Sequence, residues 1–266
     1  MRLTTWSRLA AKPAWRIGLG SASIVLSTLC GCSWNDVFPT HPATIPNADA
    51  VDRALQLCSL SAGDQPFHLV LAVSPPGNTR DLISSRTDFR AQIETNLFGT
   101  IIVTKAVIPL MREQRSGRII QISSVGGRVG APGRAAYSAA KWGVEGFSEV
   151  LAREMGLIGV KVTVVEPGGF RTDFAGSSTV LEAGRPEYDA VVGATVRMQR
   201  EYNGRQPGDP LRAARVILEV AAMDEPPFRL ALGSDAVGAI IKADLARLTE
   251  VERWRKLSVS TDFPAG

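Results

Sequence analysis

Tyr137 and Lys141 stand four residues apart in a stretch with the pattern of a long helix, so their side chains share one helix face. An ammonium group beside a phenol favours the phenolate and lowers the pKa of the phenol from its usual value of about 10. Such a pair can exchange a proton near neutral pH, which is general acid–base chemistry. Because a Tyr-x-x-x-Lys pattern also arises by chance, the alternative is a half-buried core tyrosine beside a solvated lysine.

The helix that carries this pair is predicted by an apolar stripe. With a rotation of about 100° per residue, four apolar residues line up, and Tyr137 and Lys141 fall at the rim of their stripe. This position predicts two side chains at the border of a cleft, neither fully buried nor fully exposed. The stripe consists of Ala140, Val144, Phe147 and Leu151.

A serine follows a strand at a fixed distance before the tyrosine. The β-branched run over residues 118–122 predicts a buried strand, which leads into Ser123, Ser124 and a glycine-rich loop. Serines after strands usually satisfy local backbone groups. Ser124 lies thirteen residues before Tyr137, and this spacing favours it over Ser123 as a partner of the phenol.

Two more features flank this unit. Residues 160–166 predict a second strand, which ends abruptly at Pro167 and Gly168. Upstream, Asn96 lies on an amphipathic helix predicted over residues 88–112, where it could either serve the site or face water. The inward face predicted for that helix consists of Phe89, Ile93, Leu97, Thr100, Thr104, Ile108 and Met111.

This ordered set resembles the catalytic half of the short-chain dehydrogenase/reductase (SDR) family over about residues 87–257. The family is marked by an Asn in helix four, a Ser after strand five, Tyr-x-x-x-Lys in helix five and Pro-Gly after strand six. The resemblance implies a Rossmann-like α/β fold, doubly wound around a mainly parallel sheet, and NAD or NADP as cofactor. The catalytic residues that it implies are Asn96, Ser124, Tyr137 and Lys141.

The resemblance also implies a reaction, hydride transfer between a nicotinamide and a carbonyl or alcohol. Tyr137 would exchange the hydroxyl proton, Ser124 would hold the carbonyl oxygen, and Lys141 would tune the tyrosine and bond the ribose. Asn96 would anchor a water in a proton relay to the lysine. The cofactor contacts that the resemblance implies are Tyr137, Lys141, Pro167, Gly168 and Thr172.

The first third of the chain departs from the family pattern. A dinucleotide-binding half normally opens with a strand and a glycine-rich turn onto a helix N-terminus. No glycines before Asn96 have that spacing in a strand–turn–helix pattern, although residues 67–73 do suit the family's fourth strand. The alternative to an active oxidoreductase is therefore a catalytically silent relative that cannot hold the dinucleotide, and poor cofactor binding is expected.

These patterns divide the chain into four parts. Residues 1–34 form a basic and apolar leader-like segment, and residues 87–257 form the catalytic part, followed by a tail over 258–266. Residues 35–86 form an atypical segment in place of the usual glycine-rich cofactor half. That segment is a replaced or frame-shifted stretch, a divergent domain, or a linker behind an export leader.

The leader-like segment bears on localisation. Residues 1–16 carry four basic side chains and no acidic one, and an uncharged, moderately apolar run over 17–29 follows. This pattern resembles a bacterial lipoprotein signal whose modified cysteine would be Cys32. Because nicotinamide dinucleotides are cytosolic, we expect a cytoplasmic protein, with an exported or membrane-anchored one as the alternative.

Composition excludes several other functions. The net charge of +4 equals the charge of the first sixteen residues, so the rest sums to zero and offers no basic stripe for nucleic acid. Only His41 and His68 are histidines, and there is no Gly-x-Ser-x-Gly elbow, which argues against a Ser–His hydrolase. The three cysteines have no metal spacing. We expect a small-molecule alcohol or ketone as partner, and the resemblance implies a homodimer or homotetramer.

The last third predicts a helix over residues 209–223, a strand over 228–233 and a closing helix over 235–256. The stretch 171–210 corresponds to the family's mobile substrate-covering region. Its apolar content indicates a hydrophobic substrate, and the alternative is a pair of surface helices packed on the sheet. The predicted apolar residues are Leu211, Ala214, Ile217, Leu218 and Ala221 on the first helix, and Val237, Ile241, Leu248 and Val251 on the second.

Overall fold

The computed structural model describes residues 68–71, 77–79, 86–172, 174, 179–181 and 184–263. The leader-like segment, the three cysteines and His41 lie outside these residues, so the expectations about export and Cys32 stay predictions. Of the atypical segment 35–86, only two short strands and Arg86 are described.

A parallel sheet of four strands organises the described part of the chain. In spatial order its strands are β1 (His68–Leu71), β3 (Gly117–Ile122), β4 (Val160–Pro167) and β6 (Arg229–Leu232). Two further strands, β2 (Gly77–Thr79) and β5 (Thr179–Leu181), form a separate parallel pair. The strand predicted over residues 67–73 is thus confirmed as β1, which lies beside β3.

Helices make the crossovers that parallel strands require. The α-helices in the described residues are α1 (Arg86–Ile93), α2 (Gly99–Gln114), α3 (Ala135–Gly156), α4 (Ala194–Tyr202), α5 (Pro210–Ala222) and α6 (Ser234–Val259). A π-helical turn, Glu94–Phe98, joins α1 to α2, and a second one, Asp189–Gly193, leads into α4. The predicted alternation of helices and strands is confirmed.

Apolar side chains pack on both faces of the sheet, because successive strand residues point to opposite faces. Ile119 packs with α2 and α3 on one face, whereas its neighbour Ile120 packs with residues of α5 on the other. The sheet is therefore doubly wound, as predicted. The core of the first face consists of Val103, Val107, Met111, Ile119, Leu151, Met155, Val160 and Val162.

The long helix before β3 buries most of the predicted face. Thr100, Thr104 and Met111 are buried as predicted, but Phe89 in the first turn is exposed. The π-helical turn between α1 and α2 inserts an extra residue per turn and so rotates the buried face. Phe89–Gln114 is long and apolar enough to cross a membrane by length and composition, but core helices of soluble proteins share these properties.

The last two helices form where predicted but differ from the prediction in which residues they bury. In α5, Ile217 and Ala221 pack on the core as predicted, whereas Leu211 and Leu218 are exposed and Val220 is also buried. In α6, all four residues of the predicted stripe are exposed, and Ala236 and Ile240 are buried. A small residue such as alanine lets a helix approach the sheet closely. Tertiary packing therefore decides which of two neighbouring apolar faces is buried, and the periodicity of apolar residues in the sequence does not distinguish them.

The chain leaves the sheet after β4 and returns to the same place before α5. Phe170 and Gly208 form a parallel bridge. The Gly208 N–H donates to the Gly169 carbonyl at 3.0 Å, and the Arg171 N–H donates to the Gly208 carbonyl at 3.1 Å. We call Gly169, Phe170, Arg171 and Gly208 the neck. Residues 172–207, the family's substrate-covering region, are thus closed at their base.

Candidate active site

Ser124 lies beside the phenol of Tyr137. The serine follows the carboxyl end of β3 and caps a short 3₁₀ turn, Val125–Gly127, with its Oγ accepting the Gly126 N–H at 3.0 Å. Tyr137 is in the first turn of α3 and only 9% exposed. A Cβ on Gly126 would lie 3.4 Å from Oγ of Ser124 and 3.0 Å from Cε1 of Tyr137, and the serine hydroxyl is near enough to the phenol to lower its pKa. The structure therefore places Ser124, rather than Ser123, at the tyrosine.

The glycine-rich turn after Ser124 packs tightly on α3. A Cβ on Gly126 would lie 3.0 Å from Cε1 of Tyr137. A Cβ on Gly127 would lie 2.6 Å from Oγ of Ser123 and 3.1 Å from the carbonyl oxygen of Lys141. Both glycines are thus needed so that this turn can cover the tyrosine and the lysine.

Lys141 is buried beneath this turn. The side chain is 3% exposed, and its Nζ donates to the Ile122 carbonyl at 3.0 Å and lies 5.9 Å from the centroid of the Tyr137 ring. Burial lowers the pKa of Lys141 to about 8, and the nearby charge of Glu145 opposes that shift. The predicted position at a cleft rim is wrong for both side chains, because the turn after Ser124 covers this face of α3.

The pKa of Tyr137 also differs from the expectation. Burial raises it above its ordinary value, whereas the hydroxyl of Ser124 and the positive charge of Arg134 lower it. The cation whose charge lowers the pKa of the phenol here is Arg134, which the sequence analysis missed. A tuning role for Lys141 stays a prediction. Arg134 lies three positions before Tyr137, and its sequence context alone does not mark it as part of the site.

Arg134 joins α3 to the substrate-covering region. Its guanidinium donates to Oε1 of Gln199 on α4 and lies 5.9 Å from the ring centroid of Phe174. The ring of Phe174 is in turn 5.8 Å from that of Tyr137, centroid to centroid. Burial lowers the pKa of Arg134. A cation, a phenol and an aromatic wall therefore meet at the N-terminal end of α3.

Asn96 is buried on an element that packs against α3. It lies in the π-helical turn and is 0% exposed, so the alternative of a solvated asparagine is wrong. Its Nδ2 donates to Oε1 of Gln92 at 2.8 Å, and its carbonyl accepts the Thr100 hydroxyl at 2.9 Å. Its Oδ1 is buried without a hydrogen-bond partner among the described residues. A role for Asn96 in a water-mediated relay stays a prediction.

Pro167 and Gly168 lie at the same edge of the sheet as Ser124. Gly168 donates its N–H to the Leu232 carbonyl at 2.9 Å, and a Cβ there would overlap the carboxylate of Asp235 on α6. In this structure it is thus the approach of α6 that requires the glycine. Thr172, the last predicted cofactor contact, is exposed beyond the neck.

A network of buried charges holds the loop after Ser124. Glu166 of β4 is bonded by Arg128 at 2.8 Å, and Arg128 also reaches Asp244 of α6 at 2.7 Å. Arg229 of β6 lies 3.2 Å from Glu145 and 3.6 Å from Glu166. Arg128 thus has two carboxylate partners, and Arg229 has a third in Glu149 at 2.8 Å. The network ties the loop to β4 and α6, and Glu145 lies one helical turn from Lys141.

The residues present suit the nicotinamide side of a dinucleotide. Open α/β sheets bind ligands outside the carboxyl ends of their strands, and Ser124, Tyr137 and Lys141 gather beside the carboxyl ends of β3 and β4. No glycine-rich turn of the family's spacing occurs in the sequence before Asn96, and most of that segment lies outside the described residues.

Comparisons with known proteins identify the family of this chain. The short chain dehydrogenase family matches residues 70–181. Oxidoreductase BOA17 of Botryotinia fuckeliana is 48% identical over 174 residues, which cover 65% of this chain and 64% of that protein. The chain thus spans less than two thirds of the length of this curated relative.

Solved structures extend the likeness. A short-chain dehydrogenase from Streptomyces avermitilis has a TM-score of 0.71 and 34% identity, covering 83% of this chain and 80% of that one. A short chain dehydrogenase from Burkholderia cenocepacia, in complex with NADP, has the same fold with a TM-score of 0.54 and 21% identity, covering 80% and 79%. The fold and the site are those of an α/β protein of the dinucleotide-binding class. The chain belongs to the short-chain dehydrogenase family, as its motifs predicted, although the family match excludes the N-terminal part.

Proposed function

We propose that this protein is an oxidoreductase of the short-chain dehydrogenase type, which uses NAD or NADP to interconvert a carbonyl and an alcohol. The observation that carries the proposal is the cluster of half-buried Ser124 with buried Tyr137 and Lys141 at the carboxyl edge of the sheet. The nicotinamide, when bound, supplies or accepts the hydride.

The phenol of Tyr137 acts as the proton donor in carbonyl reduction. Because burial raises its pKa, the phenol is protonated at neutral pH and ready to give its proton to the substrate oxygen. The hydroxyl of Ser124, beside the same phenol, orients that oxygen and stabilises the negative charge that develops on it. This arrangement favours the direction from carbonyl to alcohol.

Lys141 stabilises the phenolate that remains. With a pKa of about 8, its ammonium is mostly charged at neutral pH, and its bond to the Ile122 carbonyl keeps the charge in place. A positive charge at this position lowers the free energy of the phenolate relative to the phenol.

The comparisons favour this enzyme over the catalytically silent relative, since the matched relative is named an oxidoreductase. We therefore expect the protein to bind its cofactor, contrary to the poor binding that the first third of the sequence suggests. A homodimer or homotetramer stays a prediction.

The test replaces Tyr137 by phenylalanine. We expect the kcat/KM for ketone reduction with NADH or NADPH to fall by about two to four orders of magnitude, with the thermal unfolding temperature retained. Tyr188→Phe, at an exposed tyrosine, is the matched control and should keep full activity. Turnover in Tyr137→Phe close to that of the unaltered protein would remove the phenol from its role.

A further inference from the structure

Arg134 is a largely buried cation without a carboxylate partner in the part of the chain that the structure describes. The two other arginines near the site, Arg128 and Arg229, each bond two carboxylates. Removing a guanidinium from water is unfavourable unless an anion compensates it. Among the described residues Arg134 has a neutral amide and an aromatic ring instead, and none of these residues compensates its charge.

A second buried donor lies next to this cation. The side chain of Gln199 is only 6% exposed, and its Oε1 accepts from the Arg134 guanidinium. Because a guanidinium only donates, the amide must present its oxygen to Arg134 and point its Nε2 elsewhere. That Nε2 is buried and has no acceptor among the described residues. Two adjacent groups therefore carry unused hydrogen-bond donors.

These donors lie close to the reacting phenol. Arg134 precedes Tyr137 by one helical turn, and its charge is near enough to lower the pKa of the phenol. Phe174 contacts both, at 5.9 Å from the Arg134 guanidinium and 5.8 Å from the ring of Tyr137. A substrate whose carbonyl oxygen meets Tyr137 therefore places a group a few bonds away within reach of Arg134.

We propose that Arg134 and Gln199 bind a carboxylate of the substrate, so that the protein reduces oxo acids in preference to neutral ketones. This inference rests on the proposed function, because the carbonyl is reduced at Tyr137. A guanidinium matches a carboxylate in both charge and planar geometry, and one anion would accept from both side chains. Arg134 thereby determines specificity, while the proton still comes from the phenol.

The experiment compares 3-oxohexanoate with its methyl ester. The ester keeps the same oxo group and carbon chain, but a neutral ester group replaces the negative carboxylate. Binding of each is measured by calorimetry with the oxidised dinucleotide present, so that no turnover is needed. Reduction of each is measured separately with NADH and NADPH. The variants are Arg134→Gln, which removes the charge, and Arg134→Lys, which keeps it without the planar fork.

We expect the unaltered protein to bind the acid at least about tenfold more tightly than the ester. Arg134→Gln should weaken acid binding by about 10- to 100-fold and leave ester binding within about threefold, with Arg134→Lys intermediate. Far-UV circular dichroism checks that the variants fold. The ratio of the dissociation constants of the acid and the ester, measured on the unaltered protein, tests the proposal even if the variants fail to fold.

Equal binding of acid and ester by the unaltered protein, or no binding of either, would overturn the proposal. An equal loss of both ligands in Arg134→Gln would overturn it as well, since it would show that the arginine only holds α4 in place. If the ester is reduced without a preference for the acid, the reductase stands and the carboxylate site fails. If acid binding depends on Arg134 but neither compound is reduced, the carboxylate site stands and the reductase fails.

Discussion

Replacing Lys141 by methionine should remove activity and at the same time relieve a cost in stability. The lysine is buried, and its pKa falls from the ordinary 10.5 to about 8. A tenfold change in an acid dissociation constant corresponds to about 1.4 kcal/mol, so holding the ammonium in the folded protein costs about 3 kcal/mol at pH 7. Loss of the bond to the Ile122 carbonyl offsets about 1–3 kcal/mol of the gain in the variant.

The pH dependence isolates this charge from other effects of the substitution. Between pH 8 and 10.5 the lysine is more protonated in the unfolded chain than in the folded one, so the stability of the unaltered protein rises with pH. Methionine does not titrate. The advantage of Lys141→Met in the free energy of unfolding should therefore shrink by about 1 kcal/mol from pH 7 to pH 9.

Urea denaturation at the two pH values, without cofactor, measures both proteins. Lys105→Met, at an exposed position of α2, controls for the loss of one positive charge. An advantage of Lys141→Met that is the same at pH 7 and pH 9 would refute a buried lysine with a lowered pKa. An advantage that grows with pH would refute it too.

Two further substitutions test what surrounds the lysine. Glu145→Gln removes the negative charge that raises the pKa of Lys141. The decline of kcat/KM at alkaline pH, which follows the loss of the charge on Lys141, should therefore move to lower pH by about one unit. Glu149→Gln, at a more exposed partner of Arg229, is the control and should leave that decline at the same pH. Gly127→Ala introduces a Cβ that clashes with side-chain and backbone atoms, so it should lower the free energy of unfolding by about 1–3 kcal/mol. The control is Gly130→Ala in the same loop, where a Cβ would meet no atom within 4 Å. Equal losses of stability in the two variants would contradict the reasoning.

The sequence predicted most of the fold, because period and strand composition report on local structure. The strands β3, β4 and β6 and the helices α3, α5 and α6 all lie where the patterns put them. The π-helical turn at Glu94–Phe98 was not predictable from a regular period, since it is an interruption of that period. Phe89, which precedes this turn, is the predicted core residue of the helix that is exposed.

The site was predictable in its members but not in its electrostatics. The spacing of Ser124, Tyr137 and Lys141 identified three side chains that the fold brings together. Burial, however, depends on how the turn after Ser124 covers α3, and this tertiary contact decides the sign of both pKa shifts. Arg134 escaped notice because one arginine in a loop has no meaning until Gln199 and Phe174 come beside it.

The neck formed by Gly169, Phe170, Arg171 and Gly208 brings the two ends of the region that covers the substrate side by side at the sheet. A replacement of different length could therefore join the same two anchors. Exchange of residues 172–207 between relatives would then alter which compounds are accepted, and it would also replace Phe174 and Gln199, which lie beside Tyr137 and Arg134. Natural diversification and laboratory grafting would have the same attachment point.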